Sequence, residues 1–306
     1  MQIDPRHLIQ LATIVQSGSF AAAAAKLGLT QPALSKNMKK LEDRLGAPIF
    51  EKIGRQSIAT DLGSTFARFG LMMLAADEQA RAYAQHVSTG RAGSLLIGTP
   101  PSLADNFLAP ILSTFLATHA DCRVELRVGL VAELETLLST GQINLMIGPA
   151  RPLSLDLQLE TETLAEDVLG IVCRKGHALA GQAEILPQHL EMQRWVAHSR
   201  GSYLRMQTED GLAKFGVRSF DIALDTDSTE AAYKAVASSD LITVMPRLPT
   251  LMSGHIDAIE FLPLKSTAFQ RPIGIIQRAS HTRSGLETLF LRSLKKAVQH
   301  REVLED

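Results

Sequence analysis

The sequence is poor in cysteine and has almost no net charge. Its 306 residues include two cysteines, Cys122 and Cys173, too few for a disulfide framework and without the Cys/His spacing of a metal site. Each lies in an apolar, strand-like run, where a cysteine behaves as a small buried hydrophobe. The chain has 31 Lys or Arg and 32 Asp or Glu, so its net charge of −1 gives no sign of a polyanionic partner.

Long apolar runs are also missing. No run approaches the roughly 20 residues that span a bilayer, and the first ten positions are too polar for the apolar core of a signal peptide. Hydrophobic residues make up 45% of the chain and charged residues 21%, which is typical of a folded, soluble protein. We therefore expect a cytoplasmic protein of two or three domains with no membrane partner.

Motifs of catalysis and cofactor binding are absent from the sequence. It contains no GxSxG, GxGxxG, GxxxxGK[ST] or HExxH pattern. The carboxylate pairs Glu133–Glu135 and Glu160–Glu162 are two residues apart, a spacing that does not bring side chains together on a helix. An enzyme is therefore the less favoured alternative, and we predict neither a cofactor nor a metal.

Positive charge is concentrated at the N-terminus. Residues 1–60 hold eight Lys or Arg and four Asp or Glu, so the remainder of the chain carries the negative excess. A basic segment on a slightly acidic body is the distribution to look for in nucleic-acid binders.

The same basic segment shows three short helical patterns. Gly18 ends the first, and Ser19 is a good N-cap for the second, "FAAAAAKLG". Gly28 ends the second helix and Thr30 caps the third, so the two are joined by a very short turn. This arrangement predicts a helix-turn-helix, and "PIFEKIGRQSIATDLG" predicts a small β-hairpin, or wing, after it.

The third helix carries polar side chains close to its start. If it enters the major groove, Gln31 can contact a base edge and Ser35 a base or a phosphate. Lys36, Lys39 and the wing residue Arg55 would then neutralise phosphates. The alternative is a plain solvated helix face.

A long helical pattern runs from about residue 61 to 87. Its apolar residues repeat at alternating spacings of four and three, which predicts a dimer seam. The alternative is a helix packed on its own domain. The seam residues are Leu62, Phe66, Phe69, Met73, Ala76, Ala80, Tyr83 and Val87.

From residue 94 strand and helix patterns alternate, which predicts an α/β domain with a mostly parallel sheet. Its length of about 210 residues and a change of character near Glu166 suggest two subdomains with a cleft between them. The predicted strands are 95–98, 123–128, 145–147, 168–173, 195–198, 222–224, 242–245 and 273–276, and the predicted helices include 131–139, 204–215, 228–237 and 285–299.

Several of these strands end in small polar residues just before a helix. Backbone N–H groups at such positions suit a carboxylate or another anion, and ligands of open α/β sheets gather there. Ser102 and Ser202 are the first candidates for ligand contact, and Arg200 is a candidate counter-charge. The alternative is that the serines only cap helices. Further candidates are Thr99, Val131, Gly148, Pro149 and Thr226.

The segment "SFAAAAAKLGLTQPALSKNMKKLEDRLGAPIFEK" resembles the N-terminal signature of LysR-type transcriptional regulators. The matching residues are the alanines before Lys26-Leu27, the run from Thr30 to Ser35, Leu41-Glu42 with Leu45-Gly46, Phe50 and the later "ATDLG". Three departures are Lys52, where many relatives have arginine, Asn144, where many have aspartate, and "ASSDLITVMP", where many have a Gly-x-Gly turn.

The resemblance covers the whole chain and implies a domain order. It implies a winged helix-turn-helix over 1–60, a linker helix and hinge over 61–91, and a two-lobed, periplasmic-binding-protein-like effector domain over 92–306. The first lobe would comprise about 92–165 and 268–306, and the second about 166–267.

The resemblance also implies partners. We expect an interrupted palindrome of double-stranded DNA, contacted by Gln31, Pro32 and Ser35, a small-molecule effector, a homodimer or homotetramer, and RNA polymerase. Two alternatives remain: a solute-binding protein with an accessory DNA-binding head, and an architectural DNA-binding protein without a ligand.

Overall fold

The computed structural model describes residues 3–53, 56–89, 93–151 and 158–302. The chain divides into two compact units, Met1–Arg91 with Ser139–Gln142, and Ala92–Leu138 with Ile143–Asp306. Among the described residues, no helix is both long enough and apolar enough to cross a bilayer.

The first unit begins with three short helices whose ends are set by local hydrogen bonds. The Ser19 hydroxyl accepts from Ala22 N at 3.1 Å, and Gly18 and Gly28 adopt the left-handed backbone that closes a helix. The predicted helix-turn-helix and the predicted wing are confirmed, since the two short strands pair antiparallel. The elements are α1 Pro5–Ser17, α2 Phe20–Leu27, α3 Gln31–Leu45, β1 Phe50–Ile53, β2 Gln56–Ala59 and α4 Asp61–Thr89.

Helices α1 and α4 cross at a very short distance. A Cβ atom added at Gly70 would overlap the Leu8 carbonyl oxygen and would lie 2.8 Å from the Cβ of Ala12. Gly63 meets the backbone of Ile49 in the same way, with the carbonyl carbon 3.0 Å from an added Cβ. Only glycine permits backbones to approach this closely, so two glycines fix where α4 crosses the unit.

The predicted seam on α4 is divided between two environments. Leu62, Phe66 and Met73 pack against the unit's own core, as the alternative reading of the pattern expected. Phe69, in contrast, is 48% exposed, and Ala76 and Ala80 are also exposed. The side chains of Tyr83 and Val87 lie outside the described residues. The exposed apolar face of α4 therefore consists of Phe69, Met72, Ala76 and Ala80, with Met72 added by the structure.

Among the described residues, the second unit contains a five-stranded sheet and two smaller strand sets, which pack around two main hydrophobic cores. The first sheet, of five strands, has the strand order β4-β3-β5-β12-β6, and its core includes Phe107, Phe115 and Phe290. Its elements are β3 Gly93–Thr99, α5 Pro101–Leu103, a π-helical turn Ala104–Leu108, α6 Ala109–Thr118, β4 Cys122–Val128, α7 Val131–Ser139, β5 Leu145–Pro149, β6 Leu159–Ala165, β12 Ile273–Arg278 and α12 Gly285–Glu302.

The second core surrounds Trp195 and Tyr233. It is built on the strand sets β10-β7-β11 and β8-β9, which a parallel bridge between Trp195 and Ile242 connects. The elements are β7 Leu169–Arg174, α8 Pro187–Glu191, β8 Arg194–His198, α9 Tyr203–Phe215, β9 Asp221–Thr226, α10 Thr229–Ala237, β10 Thr243–Pro246, α11 Arg247–Leu251, β11 Ile259–Pro263 and a 3-10 turn Thr267–Phe269.

The expectation of mostly parallel sheets is wrong. Among the described strands of this unit, β4-β3, β3-β5 and β8-β9 pair parallel, whereas β5-β12, β12-β6, β10-β7 and β7-β11 pair antiparallel. The sequence patterns also missed β6 and β11. The chain leaves the first sheet near Asp167 and returns near Arg271, so β12 enters the first sheet from the opposite end and runs antiparallel to its neighbours.

Candidate functional sites

The exposed face of α3 is the first candidate site. The Thr30 hydroxyl accepts from Ala33 N at 3.4 Å and begins the helix, and Leu34, Met38 and Leu41 are buried on the opposite face. The polar residues left outside are therefore held at fixed positions by the core. The predicted DNA-contact residues Gln31, Pro32, Ser35, Lys36 and Lys39 are all exposed. Arg55, at the wing tip, lies outside the described residues.

Two further contacts hold α3 rigidly in its unit. Asn37 donates to Gln10 of α1 at 3.1 Å, and Glu42 accepts from the backbone N–H of Ile49 at 3.1 Å. Neither was predicted from sequence, because these partners are set by tertiary packing. They fix the helix against α1 and against the start of the wing, which is the rigidity that base-edge contacts require.

Lys39 is paired within its own helix. Its Nζ lies 3.4 Å from Asp43 Oδ1 and 3.9 Å from Glu42 Oε2, with the side chain 70% exposed. An exposed pair of this kind contributes about 0.2–1 kcal/mol, so a phosphate can replace the carboxylates at little cost. Lys40, also exposed on this helix, was not among the predicted contacts.

Two adjoining cavities form the second candidate site, in the second unit. They share Val131, Ser202 and Tyr203. The outer cavity has a volume of about 540 Å³ and is lined by Val131, Ala132, Arg151, Arg200, Gly201, Ser202, Tyr203, Arg205, Met206 and Glu209. The inner cavity has a volume of about 50 Å³ and is lined by Pro100, Pro101, Ser102, Gly129, Leu130, Val131, His198, Ser199, Ser202, Tyr203, Leu204, Asp227, Thr229 and Arg271.

Four of the eight predicted effector residues line these cavities: Ser102, Val131, Arg200 and Ser202. Ser202 is also a helix cap, because its hydroxyl accepts from Arg205 N at 3.1 Å. Ser202 therefore caps α9 and lines both cavities.

The other four predicted residues do not line either cavity. Thr99 is fully buried and donates to the carbonyl of Ile147 at 2.8 Å. Gly148 and Pro149 are buried within β5, where both pair with β12. The Thr226 hydroxyl accepts from Ser228 N at 3.1 Å, which closes a turn. All four residues therefore make contacts within the fold itself.

Arg271 is the functional candidate that sequence reasoning missed. Its side chain is 3% exposed and lines the inner cavity, and its Nη2 donates to Ser102 Oγ at 3.4 Å. Its Nη1 is buried and has no hydrogen-bond partner among the residues that the structure describes. Burial lowers the pKa of the guanidinium to about 10, so Arg271 stays charged at neutral pH.

The carboxylate with the strongest influence on Arg271 is Asp167. Asp167 Oδ1 accepts from Val168 N at 2.9 Å and from Leu248 N at 3.1 Å, while Oδ2 is buried with no partner in the described part of the chain. Burial raises the pKa of Asp167 to about 6. The two residues attract each other electrostatically, but no ion pair within 4.0 Å joins their side chains among the described residues. Both lie where the chain crosses between the two sheets.

His198 contributes no charge to the inner cavity at neutral pH. Burial lowers its pKa to about 4. Its Nε2 lies 3.2 Å from the carbonyl of Val244, and since a carbonyl can only accept, Nε2 carries the proton of the neutral ring.

The wall of the outer cavity holds two arginines with carboxylate partners. Arg205 pairs with Glu209 and, at 2.9 Å, with Asp225. Arg151 pairs with Glu135 at 2.6 Å and stacks on Tyr203 with 5.0 Å from Cζ to the ring centre. Arg200 is exposed at the rim. The wall is therefore polar and largely neutralised around an aromatic face.

Comparisons with known proteins identify a family for both parts of the chain. Residues 5–64 match the model of the lysR family of bacterial regulatory helix-turn-helix proteins, and residues 88–299 match the LysR substrate binding domain. A probable RuBisCO transcriptional regulator of Guillardia theta is 25% identical over 288 residues, which is 93% of this chain and 93% of the relative.

Two solved structures have a similar fold. A full-length OxyR variant from Pseudomonas aeruginosa gives a TM-score of 0.67 at 21% identity, covering 96% of this chain and 95% of that one. Full-length CbnR in complex with its target DNA gives a TM-score of 0.64 at 20% identity, covering 96% of this chain and all of that one.

The chain belongs to the LysR family of bacterial regulatory helix-turn-helix proteins. It is a DNA-binding transcriptional regulator with a C-terminal effector-binding domain, as the sequence motifs predicted.

Proposed function

We propose that the exposed face of α3 reads base edges in the major groove of an operator. Gln31 and Ser35 lie one helical turn apart on that face, near the N-terminal end that enters the groove in helix-turn-helix proteins. Lys36 and Lys39 neutralise phosphates on either side, and Arg55 does so from the wing. The observation that supports this best is that every predicted contact residue on α3 is exposed, while the opposite face of this capped helix is buried.

The protein acts as a dimer or a dimer of dimers in this proposal. The exposed apolar face of α4 pairs with the same face of a second copy, which buries Phe69 and Met72. A two-fold pair of α3 helices then fits an interrupted palindrome. We place the DNA-binding domain at 1–60, the linker helix and hinge at 61–91, and the effector domain at 92–306, with lobes of 92–165 plus 268–306 and of 166–267.

The effector binds in the two adjoining cavities between these lobes. Its occupancy biases an equilibrium between lobe arrangements, and this changes the contact of the dimer with DNA and RNA polymerase in the cytoplasm. Coupling of this kind is typically about 1–3 kcal/mol. Ser102, Val131 and Ser202 contact the effector, while Thr99, Gly148, Pro149 and Thr226 support the strand ends beside it.

In vitro selection of duplexes from a random library tests the DNA proposal with the full chain. Gln31→Ala should lower the preference for the selected site over random DNA about 10- to 100-fold, since one good base contact is worth about 1–3 kcal/mol. Lys39→Ala should weaken both equally and reduce the salt slope by about 1.

Lys214→Ala is the matched control. This lysine is also exposed on a helix and pairs with a carboxylate, Asp210, at 2.7 Å, but it lies on α9. Lys214→Ala should leave the affinity for DNA and the salt dependence of DNA binding unchanged. An equal loss on selected and random DNA for Gln31→Ala would contradict its role in reading bases.

A further inference from the structure

The two segments that cross between the lobes of the second unit are bonded to each other. The chain crosses near Asp167 and returns near Arg271. Arg271 N donates to the carbonyl of Asp167 at 2.8 Å, and Val168 and Gln270 form an antiparallel bridge beside them. Lobes of this kind move by bending at a few residues of the segments that connect them, so the hinge of the unit lies here.

Helix α11 is attached to both cores beside the crossings. Leu248 is buried in the core of the first sheet, whereas the Thr250 hydroxyl lies 2.9 Å from the Tyr233 hydroxyl in the second core. The carboxylate of Asp167 accepts from Leu248 N at 3.1 Å. Asp167 therefore joins the first crossing to α11 through its side chain and to the second crossing through its backbone.

The Asp167 carboxylate is buried with incomplete hydrogen bonding. The residue is 4% exposed, and its Oδ2 has no hydrogen-bond partner among the described residues. The guanidinium of Arg271 is also buried and has an unpartnered Nη1 in the same part of the chain, yet no ion pair within 4.0 Å joins the two side chains there. An ionised carboxylate is costly in such surroundings, and a proton on Oδ2 removes that cost.

The other titratable groups around Asp167 keep their charge states near neutral pH. Arg271 on the second crossing and Arg247 on α11 favour the ionised carboxylate, but burial outweighs them and raises the pKa of Asp167 to about 6. Burial raises the pKa of Tyr233 on α10, and it lowers the pKa of His198, which interacts with Arg271 from β8, to about 4. Asp167 is therefore the group of this set that changes charge just below neutral pH.

We propose that Asp167 makes the hinge responsive to protons: its protonation stabilises the lobe arrangement described here, and its ionisation favours a second arrangement in which the crossings part from α11 and Oδ2 gains a hydrogen-bond donor. This rests on the proposed function, in which an equilibrium between lobe arrangements controls DNA binding, and it adds the proton as a second input to that equilibrium.

The effect has a definite sign and an upper limit. A carboxyl whose pKa is raised in one arrangement stabilises that arrangement at low pH, and this stabilisation is lost as the pH rises through the raised value. If the pKa of Asp167 returns from about 6 to its ordinary value of 3.8 in the second arrangement, raising the pH from 5 to 7 increases the population of the second arrangement by up to about tenfold.

Hydrogen exchange of the full chain, without DNA or effector, measures the opening of the hinge. After correction for the intrinsic pH dependence of amide exchange, peptides containing Leu248 and Arg271 should open between about three- and tenfold more at pH 7 than at pH 5. A peptide containing Val196, which donates to the carbonyl of Ile242 at 2.8 Å within the second core, should change less than twofold. Equal changes in all three peptides, or no change in the first two, would overturn the proposal.

Variants assign the response to this carboxyl. Asp167→Asn should show at both pH values the low opening of the wild type at pH 5. Asp240→Asn is the matched control, since this aspartate is 77% exposed and pairs with Arg174 at 2.7 Å away from the crossings, and it should keep the wild-type response. A wild-type response in Asp167→Asn would overturn the proposal.

A second variant keeps the test decisive if Asp167→Asn fails to fold. Arg271→Gln removes the cation that most favours the ionised carboxylate, so the pKa of Asp167 should rise and the midpoint of the response should move to higher pH by at least half a unit. An unchanged midpoint would overturn the proposal.

Resonance energy transfer shows whether the lobes move. Dyes are placed on Lys214→Cys in the second lobe and Arg292→Cys in the first, both exposed positions, in a Cys122→Ser background with excess unlabelled chain. The transfer should change between pH 5 and pH 7, and adding Asp167→Asn should abolish the change; transfer that ignores pH would overturn the proposal. If the wild-type chain still selects DNA in that case, only the proton response is wrong, whereas a wild-type chain that selects no DNA shows that the proposed function itself is wrong.

Discussion

Replacing Gly70 with alanine tests how closely α1 and α4 must approach. The added Cβ would overlap the Leu8 carbonyl oxygen, with the carbonyl carbon at 2.6 Å and the Cβ of Ala12 at 2.8 Å. Since carbon atoms prefer separations of about 3.5–4.0 Å, the two helices must move apart by about 1 Å. Backbone atoms form most of the obstacle, so no side-chain rotation can relieve it.

The expected cost follows from two opposing effects. Overpacking costs about 1–3 kcal/mol, and this site belongs at the upper end because a gap of about 1 Å forfeits up to half of the dispersion energy across the interface. Alanine recovers about 1 kcal/mol through its better helix propensity. The net expectation is a loss of about 2 kcal/mol in the free energy of unfolding of the first unit.

Hydrogen exchange measures this locally. Some amides of α1 exchange only when the whole unit unfolds. They should exchange about thirtyfold faster in Gly70→Ala, because about 1.4 kcal/mol corresponds to a factor of ten and the expected loss is about 2 kcal/mol. DNA affinity should also fall, because α1 holds α3 through the Gln10–Asn37 hydrogen bond.

Gly285→Ala is the control for this experiment. Gly285 begins α12, and an added Cβ there meets open space. The variant should stay within about 0.5 kcal/mol of the wild type. If Gly70→Ala leaves exchange in α1 at the wild-type rate, the crossing is not limited by this glycine and the reasoning fails.

Phe69→Glu should give a monomer in sedimentation, because it places a charge on the exposed apolar face of α4; an unchanged sedimentation profile would rule out this face as the dimer contact. In Asp167→Asn, the free energy of unfolding should fall more steeply than in the wild type as the pH is lowered. Because burial raises the pKa of Asp167 to about 6, its carboxyl adds stability as the pH falls from 6 toward 4. His198 has the opposite effect: because burial lowers its pKa to about 4, it removes stability as the pH falls from 6.5 to 4. Each effect amounts to at most about 3 kcal/mol. Urea unfolding at pH 7, 6, 5 and 4 measures the difference, and parallel curves for wild type and variant would refute it.

The N-terminal helices were predictable because their signals are local. Ser19, Gly28 and Thr30 act on residues within four positions of themselves, and Leu34, Met38 and Leu41 show their buried face by spacing alone. The same spacing leaves Gln31 and Ser35 outside, so the exposed polar face of α3 follows from the sequence without any tertiary contact.

The candidate effector site was predictable only in part. Ser102 and Ser202 stand out because they follow strand ends and precede helices, and both line the inner cavity. Arg271 has no such signal. It contacts Ser102 across 169 positions of sequence, and only the return of the chain from the second sheet to the first places it there.

The sequence by itself determined the helix-turn-helix, its exposed polar face and the alternation of strands and helices, since periodicity and capping are read within a few residues. Tertiary structure alone decided which half of the α4 stripe is covered, which strands run antiparallel, and where the buried Arg271 and Asp167 lie relative to each other. The physical reason is that burial and charge pairing depend on which distant segments meet, and the spacing of residues along a chain does not specify that.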